Sequence, residues 1–231
     1  MPKELQKRII TSAILLILLI FFNFSKFFII GVFIAVLIIC LEFNEILSKI
    51  IGPDLIKRRK SGFSYEKVNL KFLIFQLFGI FYVLIIFGGS LIELHGRSGN
   101  PVFFLFVLSI CFFSDIGGYV LGKTVGGKKL TKISPNKTIS GSIGSFAFSI
   151  ISLLLFCNID KFEYTLSVKN FLFCLFISLI CQIGDLLISY LKRKAKIKNT
   201  GVILPGHGGL LDRVDGILLA IPFSYIIVKF L

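Results

Sequence analysis

No polar segment longer than a loop interrupts this chain, so no separate soluble domain is visible in it. It also contains no Cys-x-x-Cys pair. Cys40, Cys111, Cys157, Cys174 and Cys181 all sit inside apolar runs, which reads as buried small hydrophobes and excludes a disulfide framework or a zinc site. No small-residue cleavage site follows the basic residues Lys3, Lys7 and Arg8, and a second apolar run begins almost at once. The first run is therefore expected to stay as a transmembrane helix, not to be removed as a signal peptide. Acidic residues are scarce, 12 against 26 Lys and Arg, giving a net charge of +14. The cations lie in short loops between apolar runs, a pattern of membrane topology and attraction to anionic lipid or nucleotide, not of a nucleic-acid surface. No internal repeat is present.

What fills the chain is hydrocarbon. Of its residues 55% are hydrophobic, 27 of them Phe, and the mean hydropathy is +0.92. A soluble domain is usually about 45–50% apolar. Seven runs approach the ~20 residues that span a bilayer: Ile9–Ser25, Phe27–Leu47, Phe72–Leu91, Val102–Val120, Gly141–Ile159, Phe171–Leu191 and Val214–Phe230. Their length and the lack of period-2 alternation argue for helices over buried strands. The expected fold is all-α, a polytopic membrane bundle of about seven transmembrane helices. Residues 1–100 should supply three spans and a basic cytoplasmic loop, Gly52 to Lys71, carrying Lys57-Arg58-Arg59-Lys60. Residues 101–231 should supply four spans with two site loops. With a cytoplasmic N-terminus, 21 of the 26 Lys and Arg fall on the cytoplasmic side, a strong positive-inside signal.

Carboxylates inside such runs are costly, roughly 2.5–3.5 kcal/mol on insertion scales, and so must face a partner, water or a metal. Asp185 shares a polar stripe with Gln182 and Ser189 on the sixth run. Asp212 and Asp215, three apart, should share the first turn of the last helix, their charge favoured by its dipole. Two Asp on one turn with a third from a neighbour make a hard-cation site, and oxygen ligands without a His/Cys cluster point to Mg2+ in preference to zinc. Asp115 lies in the fourth run and shares a face with Tyr119. Gly118 and Gly122 admit close approach of a helix or ligand. Gly126, Gly127, Lys128, Lys129, Ser134, Lys137 and Thr138 follow, residues suited to a phosphate chain but outside the Walker pattern. Helix capping for Asp212 and Asp215, and a basic loop serving topology alone, are the plainer readings. His207 lies in a Gly/Pro-rich turn, a structural residue or a phosphate contact. Glu42 and Glu45 lie near the inner end of the second run, as interfacial residues or, for Glu42, as a contact facing the bundle.

Ser189-x-Leu191-Lys192-Arg193, then Lys198, then Pro205-x-His207-Gly208-Gly209-Leu210-x-Asp212-Arg213-Val214-Asp215 resembles the signature of the phosphatidate cytidylyltransferase family. Asp115-x-x-Gly118-Tyr119-x-x-Gly122 and Ser134-Pro135-x-Lys137-Thr138 are also similar to it. The likeness covers about residues 105–220, and the chain looks like a shortened member. The resemblance implies a magnesium-dependent transfer of CMP from CTP to phosphatidic acid at the inner face of the cell membrane, giving CDP-diacylglycerol and pyrophosphate. It implies Asp185 and Asp212 as metal-binding aspartates with Asp215 close by, and Ser189 and Lys192 as its polar and basic site positions. Asp185, Asp212 and Asp215 are then expected to hold one or two cations, and with Ser189, Lys192, Arg193, His207 and Arg213 to make up the catalytic set. Asp115, Tyr119, Lys128, Ser134, Lys137, Thr138, Lys198, Gly208 and Gly209 are then expected to contact substrate. Membrane lipids surround the protein, no nucleic acid is expected, and a homodimer is among the assemblies expected. Three positions depart from the pattern: Asn199 replaces an Asp, Ile139-Ser140 replaces Trp-Glu, and Gly216 replaces a common Ser. A CTP-dependent lipid or polyprenol kinase is the rival enzyme; a secondary transporter, which would show repeated halves, is the rival outside catalysis.

Overall fold

The structure is a computed structural model that describes residues 3–59, 65–97, 101–131, 133–159, 165–206 and 208–230. Among the described residues, regular structure is helical apart from two isolated β-bridges. The helices are α1 (Lys3–Phe24), α2 (Phe28–Arg59), α3 (Tyr65–Phe81), α4 (Gly88–Arg97), α5 (Pro101–Thr124), α6 (Ile139–Phe156), α7 (Val168–Lys194), α8 (Leu211–Val214) and α9 (Ile217–Phe230). Five stretches are long and apolar enough to cross a membrane: Phe28–Ile50, Leu73–Gly96, Pro101–Thr124, Ile139–Phe156 and Val168–Lys194. Two shorter apolar helices, Ile10–Phe24 and Ile217–Phe230, fall on the first and last runs. The protein is thus an all-α, membrane-embedded helical chain, as its composition requires.

Three local expectations are corrected. The basic Gly52 to Lys71 stretch is not one loop. Helix α2 runs on to Arg59 and α3 begins at Tyr65, because Gly52-Pro53 does not stop a helix whose other residues favour it; Lys60 lies outside the described residues. The third run is not uniformly α-helical. Tyr82–Phe87 form a π-helical turn between α3 and α4, a type of bulge frequent near functional sites. The last run does not begin a helix at Val214. A single turn, α8, ends there, and α9 starts at Ile217 after a two-residue break.

The chain forms two compact units, each discontinuous in sequence: residues 1–89 with 191–214, and residues 90–190 with 215–231. In the first, α2 buries Val36, Ile39, Ile46 and Leu47, which recur at helical spacing, and Val83, Phe87 and Leu211 are buried in the same unit. Thr11 Oγ1 donates to the Pro205 carbonyl at 2.9 Å, joining α1 to the loop before α8. In the second unit, Phe103, Phe106, Phe156 and Phe173 cluster with ring centroids 5.5–6.3 Å apart. A buried Ser114–Ser178 hydrogen bond of 2.8 Å joins α5 to α7, and Ser142 Oγ donates to Gln182 Oε1 at 2.5 Å, joining α6 to α7.

Helices α5 and α6 approach closely, through glycines. A Cβ placed on Gly141 would lie 2.8 Å from the Gly118 carbonyl, and one on Gly144 would lie 2.8 Å from Leu121 Cβ and against the Gly117 backbone. The neighbour admitted by Gly118 and Gly122 is therefore helix α6. Replacing Gly144 with Val should force the pair apart and cost about 1–3 kcal/mol, the usual range for overpacking. Thermal unfolding in detergent should show this, with Ala147→Val, on the exposed face of α6, close to the parent.

Candidate active site

Each unit holds a carboxylate bound to a lysine. In the second unit, Lys137 pairs with Asp185 Oδ2 and Ser189 Oγ donates to Asp185 Oδ1 at 3.3 Å. The polar stripe read on the sixth run is therefore real: Gln182, Asp185 and Ser189 each take a polar partner. Asp115 lies within electrostatic range of both Asp185 and Lys137. Lys137 arrives from the glycine loop, which is built locally. Gly126 (φ 64°) and Gly127 (φ 109°) take left-handed conformations that favour glycine. Lys129 and Thr138 then bridge, the Leu130 N–H donating to the Lys137 carbonyl at 2.8 Å and the Ile139 N–H to the Lys128 carbonyl at 3.0 Å.

Thr138 caps helix α6, its hydroxyl accepting from the Gly141 N–H at 3.1 Å. Ser140, which departs from the family pattern, donates to the Gly126 carbonyl and shares a 3.0 Å bond with Thr138. It anchors the loop without a carboxylate. Lys128 is exposed and Ser134 half-buried. Tyr119 is exposed, with Lys123 Nζ 5.6 Å from its ring centroid.

In the first unit, Asp212 is the centre. Lys192 Nζ donates to its Oδ1 at 2.8 Å, while the N–H groups of Thr200 and Gly209 donate to Oδ2 at 2.7 and 3.1 Å. The two side chains of the pair are 14% and 9% exposed. Burial by itself raises the carboxyl's pKa, but the bonds from Lys192, Thr200 and Gly209 outweigh it and hold Asp212 below the ordinary value. Gly208 (φ 91°) must be glycine for a second reason: a Cβ there would lie 2.7 Å from Asp212 Oδ2 and 3.1 Å from Asn199 Cβ. Asn199, the second departure, thus packs against the glycine turn. Arg193, Lys198 and Arg213 are exposed. His207 lies outside the described residues.

The residue missed as a site residue is Glu42. It is 3% exposed on α2. Its Oε2 accepts from the Leu211 N–H at 2.8 Å and the Thr200 hydroxyl at 3.0 Å, and its Oε1 from the Leu210 N–H at 2.9 Å. The signal was there, an acid within an apolar span, but its partners lie more than 150 residues away.

Asp215 sits in the break before α9, in the second unit, and accepts from the Gly216 N–H at 3.0 Å. The break lies against α7. A Cβ on Gly184 would be 2.8 Å from the Asp215 carbonyl, and one on Gly216 would be 2.9 Å from the Cys181 carbonyl. The third departure follows, since this contact leaves no room for a Ser side chain at 216. Asp212 and Asp215 do not share the first turn of the last helix, and the dipole favour expected from it does not apply to Asp212. Within either unit, among the described residues, no group of three or more His, Cys, Asp or Glu is placed to hold a metal.

The model of the family described as the cytidylyltransferase family matches residues 3–231. The chain belongs to the cytidylyltransferase family. Relatives of this cytidylyltransferase-family chain include the phosphatidate cytidylyltransferase of Bacillus subtilis (strain 168), 36% identical over 139 residues, covering 59% of this chain and 51% of the relative. That of Rickettsia bellii (strain RML369-C) is 39% identical over 143 residues, 56% and 60% of the two chains. That of Brucella suis biovar 1 (strain 1330) is 37% identical over 153 residues, 64% and 54%. The chain spans about half the length of the curated relatives it matches.

The bonds at Asp212 give a pH test with a definite sign. Its pKa is lower folded than unfolded, so the stability it supplies is present above the unfolded value, about 3.9, and is lost as pH falls through the lower folded value. Asp212→Asn should destabilise the protein by about 1–3 kcal/mol at neutral pH. That gap, read from detergent melts of both proteins, should hold from pH 8 to pH 5 and close only in acid below about pH 4.

Proposed function

We propose that this chain transfers CMP from CTP to phosphatidic acid in a cell membrane, releasing pyrophosphate and forming CDP-diacylglycerol. The observation that carries the reading is the family match over residues 3–231, borne by relatives named phosphatidate cytidylyltransferase. Two carboxylate–lysine pairs, Lys137–Asp185 and Lys192–Asp212, on residues that the resemblance singles out support it.

Chemically, a phosphate oxygen of phosphatidic acid attacks the α-phosphorus of CTP. A new P–O bond forms there, the bond to the bridging oxygen breaks, and that electron pair leaves on pyrophosphate. The attacking phosphate is already largely ionised at neutral pH, with a second pKa near 6 for a phosphate monoester. No strong general base is needed. The barrier is mainly repulsion between two anions, which fixed cations reduce. Lys128, Lys137, Lys192, Arg193, Lys198 and Arg213 supply them. Tyr119, Ser134, Thr138, Gly208, Gly209 and His207 belong to the same proposal as substrate contacts, and Ser189 and Asp115 as polar neighbours of Asp185.

The donor chemistry proposed for Mg2+ is all carboxylate oxygen. Asp185 and Asp212 offer hard oxygens, and each is held by a lysine ammonium that a divalent cation can replace. Asp185, Asp212 and Asp215 would hold one or two such ions, which supply neutralisation of the phosphate charge. The proposal places these loops on the cytoplasmic face of a seven-span chain, because 21 of the 26 Lys and Arg then face inward. It includes a homodimer, to be checked by cross-linking in the membrane.

Purified protein with CTP, phosphatidic acid and Mg2+ should yield a nucleotide-bearing lipid and pyrophosphate, stop with EDTA, and give no such lipid from diacylglycerol. Asp185→Asn and Asp212→Asn should each lower turnover about 100-fold or more, and Asp215→Asn less, with the protein still folded in the membrane. A lipid product bearing only a phosphate, with CDP released, would identify a kinase and overturn the proposal.

Sidedness is a separate check. In a Cys-free variant, single cysteines at Lys128 and Val202, both exposed, should react with an impermeant thiol reagent from the cytoplasmic side only. Opposite sidedness would defeat the seven-span arrangement.

A further inference from the structure

We infer that Glu42 is a positioning residue: a buried carboxylate that fixes the loop holding Asp212, without touching substrate. Asp212 is held by donors from three places, Lys192 on α7 and the N–H groups of Thr200 and Gly209. Two of those donors are themselves set by Glu42. Thr200 bonds Asp212 through its N–H and Glu42 through its hydroxyl. Gly209 is followed by Leu210 and Leu211, whose N–H groups both end on Glu42. The loop thus lies between two carboxylates, Asp212 on one side and Glu42 on the other.

The fit leaves little freedom. A Cβ on Gly201 would lie 2.8 Å from Glu42 Oε1 and 3.4 Å from the Gly209 Cα, and one on Gly209 would run into the Glu42 carboxyl itself. Glycine at 201 is therefore set by a side chain far away in sequence, and glycine at 209 by that side chain together with the nearby Thr200 hydroxyl. Thr200 and Leu211 are 1% and 0% exposed, so water cannot replace the acceptor if it is lost. An unmet buried donor costs its full desolvation, and the loop should shift to avoid it. Nothing in the arrangement places Glu42 at an open surface, so it acts through Asp212. Partners of this kind behind a ligating carboxylate typically change affinity or activity 10–100-fold.

Glu42→Gln tests this at constant size. Each Glu42 oxygen receives one backbone N–H, so the amide NH2 of Gln faces a donor whichever way it turns. Hydrogen–deuterium exchange of the protein in nanodiscs is the first readout. The peptide containing Leu210 and Leu211 should exchange at least tenfold faster in Glu42→Gln, while peptides from α6 stay at the parent rate. Glu42→Asp keeps the carboxylate on a shorter arm and should recover part of the protection. Glu45→Gln, an exposed position paired with Lys49, should change nothing.

The second readout rests on the proposed CMP transfer. There kcat should fall about tenfold or more in Glu42→Gln with KM for phosphatidic acid within twofold. Unchanged exchange at 210–211, or faster exchange spread through α6 as well, overturns the assignment, the latter showing a residue needed only for folding. So does parent-like kcat in Glu42→Gln. A parent protein that forms no nucleotide lipid would instead defeat the proposed function, leaving the exchange result to stand by itself.

Discussion

A carboxylate taken out of water must be given donors, and this chain's polar architecture follows from that one demand. In a medium of low dielectric an unpaired acid is unsupportable. Here three of the buried or half-buried acids, two at proposed site positions and one on α2, are each met by a defined set. Asp185 has Lys137 and Ser189; Asp212 has Lys192 and two backbone N–H groups; Glu42 has two backbone N–H groups and a hydroxyl. Because half of these donors are main-chain groups, the acids dictate backbone path as well as side-chain pairing. The glycine turn at 208–209 and the single helical turn of α8 take their form from the two carboxyls they serve.

Glycine does the complementary work where apolar surfaces meet. Lipid offers no hydrophobic drive for one helix to bind another, so close packing and buried hydrogen bonds must hold them. Gly117, Gly118, Gly141 and Gly144 let α5 and α6 touch along their backbones, and the Ser114–Ser178 and Ser142–Gln182 bonds tie both to α7. The same device recurs at Gly184 and Gly216. These small residues set the positions of the helices that carry Asp115 and Asp185.

Much of this was legible without coordinates. Helical character was set by run length, and the stripe of Gln182, Asp185 and Ser189 by a spacing that only a helix makes contiguous. The signature around Asp212 stood out because its residue types are expensive where they lie. What stayed hidden depended on contacts remote in sequence. Glu42 reads either as an interfacial acid or as a contact facing the bundle, and its role stays hidden until Leu210 and Leu211 are seen to end on it. The break at Asp215–Gly216 interrupts a run that is apolar on both sides, and its cause is the α7 backbone at Cys181 and Gly184. The stretch from Gly52 reads as a loop, yet α2 continues to Arg59, since local punctuation is a weaker force than a favourable helix on either side.

The separation between Glu42 and its partners also has a history in time. Leu210 follows it by 168 residues. A ribosome adds about 5–20 residues per second, so during synthesis the second helix stands in or at the membrane for some ten seconds or more before the donors that complete it exist. Through that interval the acid must be held at the interface or shielded by the insertion machinery. The most enclosed carboxylate among the described residues is thus an early liability of the nascent chain, and the donors that meet it come from the loop near the far end of the sequence.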